Sequence, residues 1–519
     1  MKQRVFSSIR LTCFLALLYM AGFNSCTKKY EKINTDPTRL TSLDPGDVRG
    51  LFTNAEYMAM YSGNGSAEYQ YAEGFASDLY AQYSAITATF DPTDRYNIEQ
   101  SWIQEQWIAT YIKALPPLMA ILNATDKPET MALNAIARIW KVFVMHRATD
   151  YYGPVPYFHI GVDSVVVPYD SQKDIYDDLF KELDEATQVL KDNISQPAYG
   201  ASDLIYDGDN SRWLKFANTL RLRLALRISD VDPAKAKQEA ETAVQGGVLT
   251  DLSDDAYLKV SGVDYNGFCR QSGWNEFRMS ATMESVLVGY EDPRLSKYWQ
   301  PAVNTGKYDG VRNGMDVAEI SADENSPDNN SQPSVRLLPE SMSTTPVTVM
   351  YTAEAYFLRA EGALNGWNMG GTAKEFYEKG IEMSLRTWGI TDAATIDKYI
   401  HSMNVPIAPG GYFNTPALTD IPIKFSADPE EEREQIQTQK WIALFPDGEE
   451  AWASIRRSGY PKMYPLIHSD NPDLPPDSMI RRIPFIDYDR DRNGEAVKAA
   501  EALLKGPDNA ATRLWWDVK

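Results

Sequence analysis

The feature that most constrains this chain is an apolar stripe that keeps returning at helical spacing. Over 171–192, Ile175, Leu179, Leu183, Ala186 and Leu190 fall on one face, with acids and lysines on the other. A helix with one greasy face needs a partner to cover it. Residues 130–149 repeat the pattern more apolarly around Ala132, Ile136, Ile139 and Phe143. A further helix is predicted from Ser211, as N-cap, through Trp213, Phe216, Ala217, Leu220, Leu224 and Ile228. Asp232-Pro233 then opens an alanine-rich helix that Gly246-Gly247 closes. The motif returns at 350–365 around Tyr356, Ala360, Ala363 and Leu364, where a turn from Gly366 to Gly371 reverses the chain into 372–388. A last pair is predicted near 434–457, with Trp441, Leu444, Ala451, Trp452 and Ile455. Such helix–turn–helix units with small residues at the seam resemble tetratricopeptide packing, but without an even repeat there is no regular solenoid. Between about 250 and 348 the periodicity breaks into glycines and a polar run, Ser321 to Ser334. Irregular stretches on a rigid scaffold are where binding concentrates.

The first 25 residues read as a targeting signal. Lys2, Arg4 and Arg10 precede a short apolar run, Leu11 to Ala21, shorter than the ~20 residues of a spanning helix. The run leads into Ser25-Cys26, which looks like a bacterial lipobox with Cys26 as the lipidated first residue of the mature chain. A plain secretory signal with a coincidental cysteine is the alternative. Residues 27–50, rich in Thr, Asp and Pro, read as an extended tether. Of three cysteines, Cys13 leaves with the signal and Cys26 takes lipid, so Cys269 is left unable to form an internal disulfide.

Motifs of chemistry are sparse. His146, His159, His401 and His468 show no metal-binding spacing, and Gly63-Asn64-Gly65 is a turn rather than a dinucleotide fingerprint. Asp489 to Gly494 matches the opening of a calcium loop, but position twelve is Ala500 and two arginines interrupt it, so it reads as a turn at Asn493-Gly494. No metal or cofactor is expected. A formal charge of −21 argues against a nucleic-acid partner, since phosphate binding needs clustered cations. Thirty tyrosines, twelve tryptophans and eighteen phenylalanines suit half-exposed binding surfaces as well as a core.

Several segments together resemble the SusD/RagB family of nutrient-binding outer-membrane lipoproteins of Bacteroidetes-type bacteria. They are, in family order, residues 30–37 (YEKINTDP), 150–157 (DYYGPVPY), 212–223 (RWLKFANTLRLR), 274–280 (WNEFRMS) with 292–295 (DPRL), 353–361 (AEAYFLRAE), 439–445 (QKWIALF) and 511–516 (ATRLWW). The resemblance implies a mainly α fold with four tetratricopeptide-like helix pairs as scaffold, packed with a loop-rich ligand-binding region. It implies no catalysis, and a partner: a SusC-like TonB-dependent barrel transporter over which the lipoprotein sits as a lid. Residues 51–519 would form one unit, with scaffold at 105–248 and 349–457, binding region at 60–104 and 249–348, and a C-terminal segment from 458. One departure concerns orientation: Lys28 and Lys29 follow the lipid cysteine, where many surface-exported lipoproteins carry acids.

A glycan ligand needs flat aromatic faces and a few polar side chains for hydroxyls, and the aromatic richness favours glycan over peptide. A surface glycosidase is the competing reading from another class, since two carboxylates suffice for that chemistry; a pure protein-binding scaffold is a third. The site is expected where the loops after the first helices meet the irregular region. Tyr83, Phe90, Tyr96, Trp274 and Phe277 would supply rings, Arg95, Asn275 and Arg278 would donate, and Asp94 would accept. Trp274 is equally readable as a core residue heading a helix from Phe277 to Leu287.

The anchor is directly testable. Cys26→Ala is expected to leave a soluble protein in the periplasm or medium, whereas the parent partitions into detergent; equal partitioning would remove the lipid from Cys26.

Overall fold

The expected helix pairs are present, and capping chemistry explains where each begins. The computed structural model describes residues 45–61, 69–161 and 166–519. The targeting signal, Cys26, the tether up to residue 44 and the Gly63–Gly65 turn lie outside the described residues, and residues 45–50, expected to be tether, are instead the first turns of a helix that Pro45 opens. By its contacts the chain divides into two units, Met1–Asp47 and Val48–Lys519. Of the first, only the start of the helix Pro45–Ala59 is described; the second is treated below.

Eight scaffold helices form four pairs: α1 (Met131–Tyr152) with α2 (Gln172–Asp192), α3 (Asn210–Arg227) with α4 (Pro233–Gly246), α5 (Thr352–Leu364) with α6 (Ala373–Thr387), and α7 (Pro429–Leu444) with α8 (Gly448–Ser458). The Ser171 side chain accepts from the Asp174 N–H to start α2, and Asp232 accepts from Lys235 ahead of Pro233 to start α4. Thr372 and Glu375 form a reciprocal capping box on α6. The cap of α3 is Asp209 rather than Ser211: its carboxylate takes the N–H groups of both Ser211 and Arg212, and Ser211 is already helical. All five residues of the predicted α2 stripe are fully buried. Helix α1 is buried almost all round because α2 covers one side while α3 and α8 pack elsewhere. Gly380 lets α6 lie close on α5, where an added Cβ would stand 2.9 Å from the Phe357 ring.

The pairs close on themselves: α2 touches α3, α3 touches α5, α5 and α6 touch α7, and α8 returns to α1. Arginine–carboxylate pairs fill this junction. Arg223 of α3 donates to both oxygens of Glu354 of α5 at 2.7 and 2.6 Å. Arg227 of α3 reaches Glu450 of α8 at 2.6 Å and Asp150 of α1 at 3.1 Å. Arg457 of α8 meets Glu361 of α5 at 2.6 Å, and Arg147 of α1 pairs with Glu449 of α8 and, at 2.5 Å, with Glu73. None of these side chains is more than 7% exposed.

The remaining chain is irregular, with two short antiparallel ladders. β1 (Ser84–Ile86) pairs with β3 (Phe277–Met279), and β2 (Ala256–Leu258) with β4 (Val347–Met350). The helix expected from Phe277 therefore starts later: residues 277–279 are drawn into the ladder, and the Ser280 hydroxyl caps a helix at Ala281–Gly289. The 489–494 run is neither a turn nor a calcium loop. It lies within the helix Asp487–Ala500, kinked at Asn493, whose amide clasps the Val167 backbone N–H and C=O at 3.1 and 2.8 Å. Its Asp489 accepts from the Tyr169 hydroxyl at 2.7 Å.

Two expectations follow from the buried ion pairs. Glu354→Gln leaves the Arg223 guanidinium short of a counter-charge, so urea unfolding should show a loss of about 3–5 kcal/mol; a loss below about 1 kcal/mol would show that the pair does not hold the junction. The acid limb is set by Glu361 and Glu450. Burial alone would raise both, but Arg457 and Lys440 beside Glu361, and Arg227 and Arg223 beside Glu450, hold each at about 2. Folded values below the ordinary 4.5 contribute stability above that pH, lost as pH falls towards 2. Unfolding free energy should therefore drop steeply between about pH 4.5 and 2, and a flat profile there would contradict the assignment.

Candidate functional site

The two loop regions expected to meet do so through the β1–β3 ladder. Ser84, Ala85 and Ile86 pair with Met279, Arg278 and Phe277, and the Thr87 N–H continues the run by donating to the Glu276 carbonyl at 2.8 Å. Residues 87–90 are thereby laid beside 274–276. A third element joins them. The helix Gln70–Ser77 is wound as a π-helix, and every residue of it except Tyr71 is buried; such turns recur at functional sites. Gly74 allows it to sit flush on the helix Gly267–Ser272, because an added Cβ would collide with the Gln271 side chain. The Gln70 amide donates to Glu276 at 2.5 Å, which ties this helix to the loop after Trp274.

The result is an aromatic ledge. Tyr71 stacks on Trp102, of the helix Gln100–Trp107, with ring centres 5.4 Å apart and planes 16° from parallel. Buried Phe75 lies 5.4 Å from Trp102 and 6.4 Å from Phe90, which is 59% exposed. Tyr71 and Trp102 are half-buried. Exposed Asn275, in left-handed backbone at φ 64°, and half-buried Trp274 and Glu276 lie on the neighbouring segment, with the Arg270 guanidinium 6.0 Å from the Trp274 ring. Burial raises the Glu276 carboxyl, and the Gln70 hydrogen bond partly offsets this. Flat apolar faces beside amide and carboxyl groups suit a ligand with C–H faces and hydroxyl edges.

Of the residues proposed from sequence, Phe90, Trp274 and Asn275 present surface here. The others are corrected, Arg95 by the partners that occupy it and the rest by their burial. Tyr83 is a core residue: its ring stacks on Trp441 and its hydroxyl donates to the Trp441 carbonyl at 2.6 Å. Phe277 packs edge-on against Phe268. Arg278, 3% exposed, holds the carbonyls of Pro327 and Phe277 at 2.9 and 2.8 Å and the Asn275 side chain, so it braces the loop. Asp94 accepts from the Ile86 N–H and the Asn313 amide at 3.1 and 2.7 Å, and burial lifts its carboxyl to about 6. Arg95 is engaged by Asp470 at 2.7 Å and the Met315 carbonyl at 3.1 Å. Tyr96 is buried in left-handed backbone and donates to the Ser478 carbonyl at 3.1 Å. Its loop edges a cavity of about 350 Å³ lined by Asn97, Gln100, Asn471, Arg490 and Asn509 among others.

Tyr71 and Trp102 were missed. Trp102 carried a readable signal, since it sits at the edge of the face formed by Ile103, Gln106 and Trp107, which are the buried residues of its helix. Tyr71 carried none, because its exposure depends on a π-turn and on packing against distant residues.

Other reactive groups are occupied or enclosed. Cys269 is fully buried and burial pushes its thiol up to about 12, as befits an inert packed residue. Asp91 is raised to about 7 by burial and accepts from the Thr93 N–H and hydroxyl, 1% exposed. Among the described residues one trio, Asp316, Glu319 and His468, brings ligand atoms within 4.8 Å of one another. Its two carboxylates already form a capping box, and His468 lies 3.0 Å from Glu319.

Comparison with known proteins places this architecture. The family model described as SusD-like, Susd and RagB outer membrane lipoprotein, matches residues 32–517. A chitin-binding SusD homologue from Flavobacterium johnsoniae is 35% identical, with 91% of this chain and 99% of that chain covered at a TM-score of 0.84. A SusD homologue from Bacteroides vulgatus is 32% identical over 92% and 99% of the two chains, also at 0.84. A SusD-like protein from Bacteroides thetaiotaomicron is 33% identical over 91% and 99%, at 0.81. No curated protein matches.

Proposed function

The chain belongs to the SusD-like family of outer membrane lipoproteins, and from that premise we propose that it binds a nutrient oligosaccharide and passes it, without catalysis, to a SusC-like TonB-dependent transporter. The observation that carries the glycan reading is the ledge of Tyr71, Phe90 and Trp102, a run of rings left open in a protein that buries most of its aromatics. A sugar ring lays its C–H face on such a surface, and Asn275 and Glu276 on the adjoining segment then meet its hydroxyls. The chitin-binding relative supports a glycan over a peptide. Among the described residues no helix is long and apolar enough to cross a membrane. In this reading lipid on Cys26 supplies attachment, with the ledge facing the cell exterior.

Chito-oligosaccharide titration of the purified protein, followed by calorimetry, tests the site. Loss of a stacking ring is worth on the order of 1 kcal/mol, so Trp102→Ala and Phe90→Ala should each weaken binding about fivefold while circular dichroism stays unchanged. Unaltered affinity in both folded variants would move the site elsewhere. Release of reducing ends during incubation would instead support the glycosidase reading.

A further inference from the structure

A second cavity, of about 330 Å³, opens on the other side of Tyr96. Its volume is at the lower end of the ~300–1,000 Å³ typical of small-molecule sites. Tyr80, Tyr96 and Tyr464 supply ring walls, and the cations around it are Arg456, Lys462, Arg481, Arg513 and Lys519. The chain as a whole carries a formal charge of −21, so five cations round one hollow stand against the general trend.

The counter-charges do not balance them. Asp517 is shared, lying 2.6 Å from Arg513 and 3.3 Å from Arg481. Asp477 is exposed on the rim. Lys519, also on the wall, is taken by Asp230 at 2.9 Å. Lys462 forms no close ion pair among the described residues, although its charge acts on the Glu434 carboxyl; its ammonium lies 4.4 Å from the Tyr460 ring centre. Arg456 is the sharpest case. It is 1% exposed, flanked by the Trp452 and Trp516 rings at 3.5 and 5.1 Å, and donates only to the carbonyls of Arg481 at 2.8 Å and Trp452 at 3.4 Å. No carboxylate pairs with it among the described residues. Burial drives its guanidinium down to about 9 despite the charges of Asp150 and Asp517. In the same wall the Tyr80 hydroxyl has no hydrogen-bond partner among the described residues. A buried cation held by carbonyls alone is costly, and an anion brought beside it would offset that cost.

We infer that this cavity is a binding site for a small, sugar-sized anion, its charged group held by Arg456, Arg481, Arg513 and Lys462 and its body against the tyrosine walls. The site is separate from the aromatic ledge and does not rest on the glycan reading. Calorimetry with glucuronate, glucose 6-phosphate and glucose on the purified protein tests it. Saturable binding of at least one charged sugar, with none of glucose, is expected, and the preferred one tells carboxylate from phosphate. Lys462→Gln and Arg513→Gln, both at accessible positions, should each weaken that binding about fivefold with circular dichroism unchanged. Binding of none of the three, glucose binding as tightly as the charged sugars, or both folded variants binding like the parent would each overturn the inference.

Discussion

The buried ring of ion pairs is the interaction on which the rest of this structure depends. Apolar stripes attract without direction, and four helix pairs covered only by leucine and alanine could settle in several registers. The bidentate contact of Arg223 with Glu354 fixes α3 against α5 in distance and in rotation. Arg227 then draws α1 and α8 to the same helix through Asp150 and Glu450, and Arg457 returns α8 to α5 through Glu361. Each of the four pairs contributes one helix to this set. Desolvation makes such groups poor net stabilisers, so their value lies in disfavouring every arrangement that leaves one unmatched.

The same network reaches the candidate site. Arg147 of α1 binds Glu449 at the start of α8 and, on its other side, Glu73 in the middle of the π-helix Gln70–Ser77. Gly448 leaves room for this approach, since a Cβ there would strike the Asp78 carboxylate and backbone. Tyr71 therefore rides on an element clamped to the scaffold by charge and by close packing. A ledge held in this way presents its rings in place before a ligand arrives, which keeps the ordering cost of stacking low.

This division explains what could be read from the sequence. Local chemistry was legible: the α2 stripe, the Asp232-Pro233 cap, the Gly366–Gly371 turn and the helices themselves all follow from spacing within a short stretch of chain. Where two local signals competed the structure decided, as when Asp209 rather than Ser211 capped α3. The meeting of 83–104 with 274–280 was also legible, but which rings would face outward was not. Tyr83 and Phe90 look alike in sequence; one is stacked on Trp441, more than three hundred residues away, and the other is open. Phe277 and Arg278 were swallowed because β3 is covered on both faces, which a short strand does not announce. Asp489 to Gly494 became helical because Asn493 found the Val167 backbone, a contact no motif encodes.

Tyr96 shows how one loop can serve two chemistries. In left-handed backbone it turns the chain between Phe90, on the ledge side, and the basic cavity, whose wall it forms. The two hollows differ in what they ask of a ligand. Stacking on the ledge is insensitive to charge, whereas the cavity offers cations inside a molecule that is negative overall. Screening confines the cavity's attraction to about 8–10 Å at physiological salt, so an approaching anion first meets the net negative surface. Steering therefore cannot favour the anion, and recognition must come from short-range contact with a desolvated guanidinium. That places selectivity in the fit around Arg456, between the Trp452 and Trp516 rings, rather than in the field of the protein.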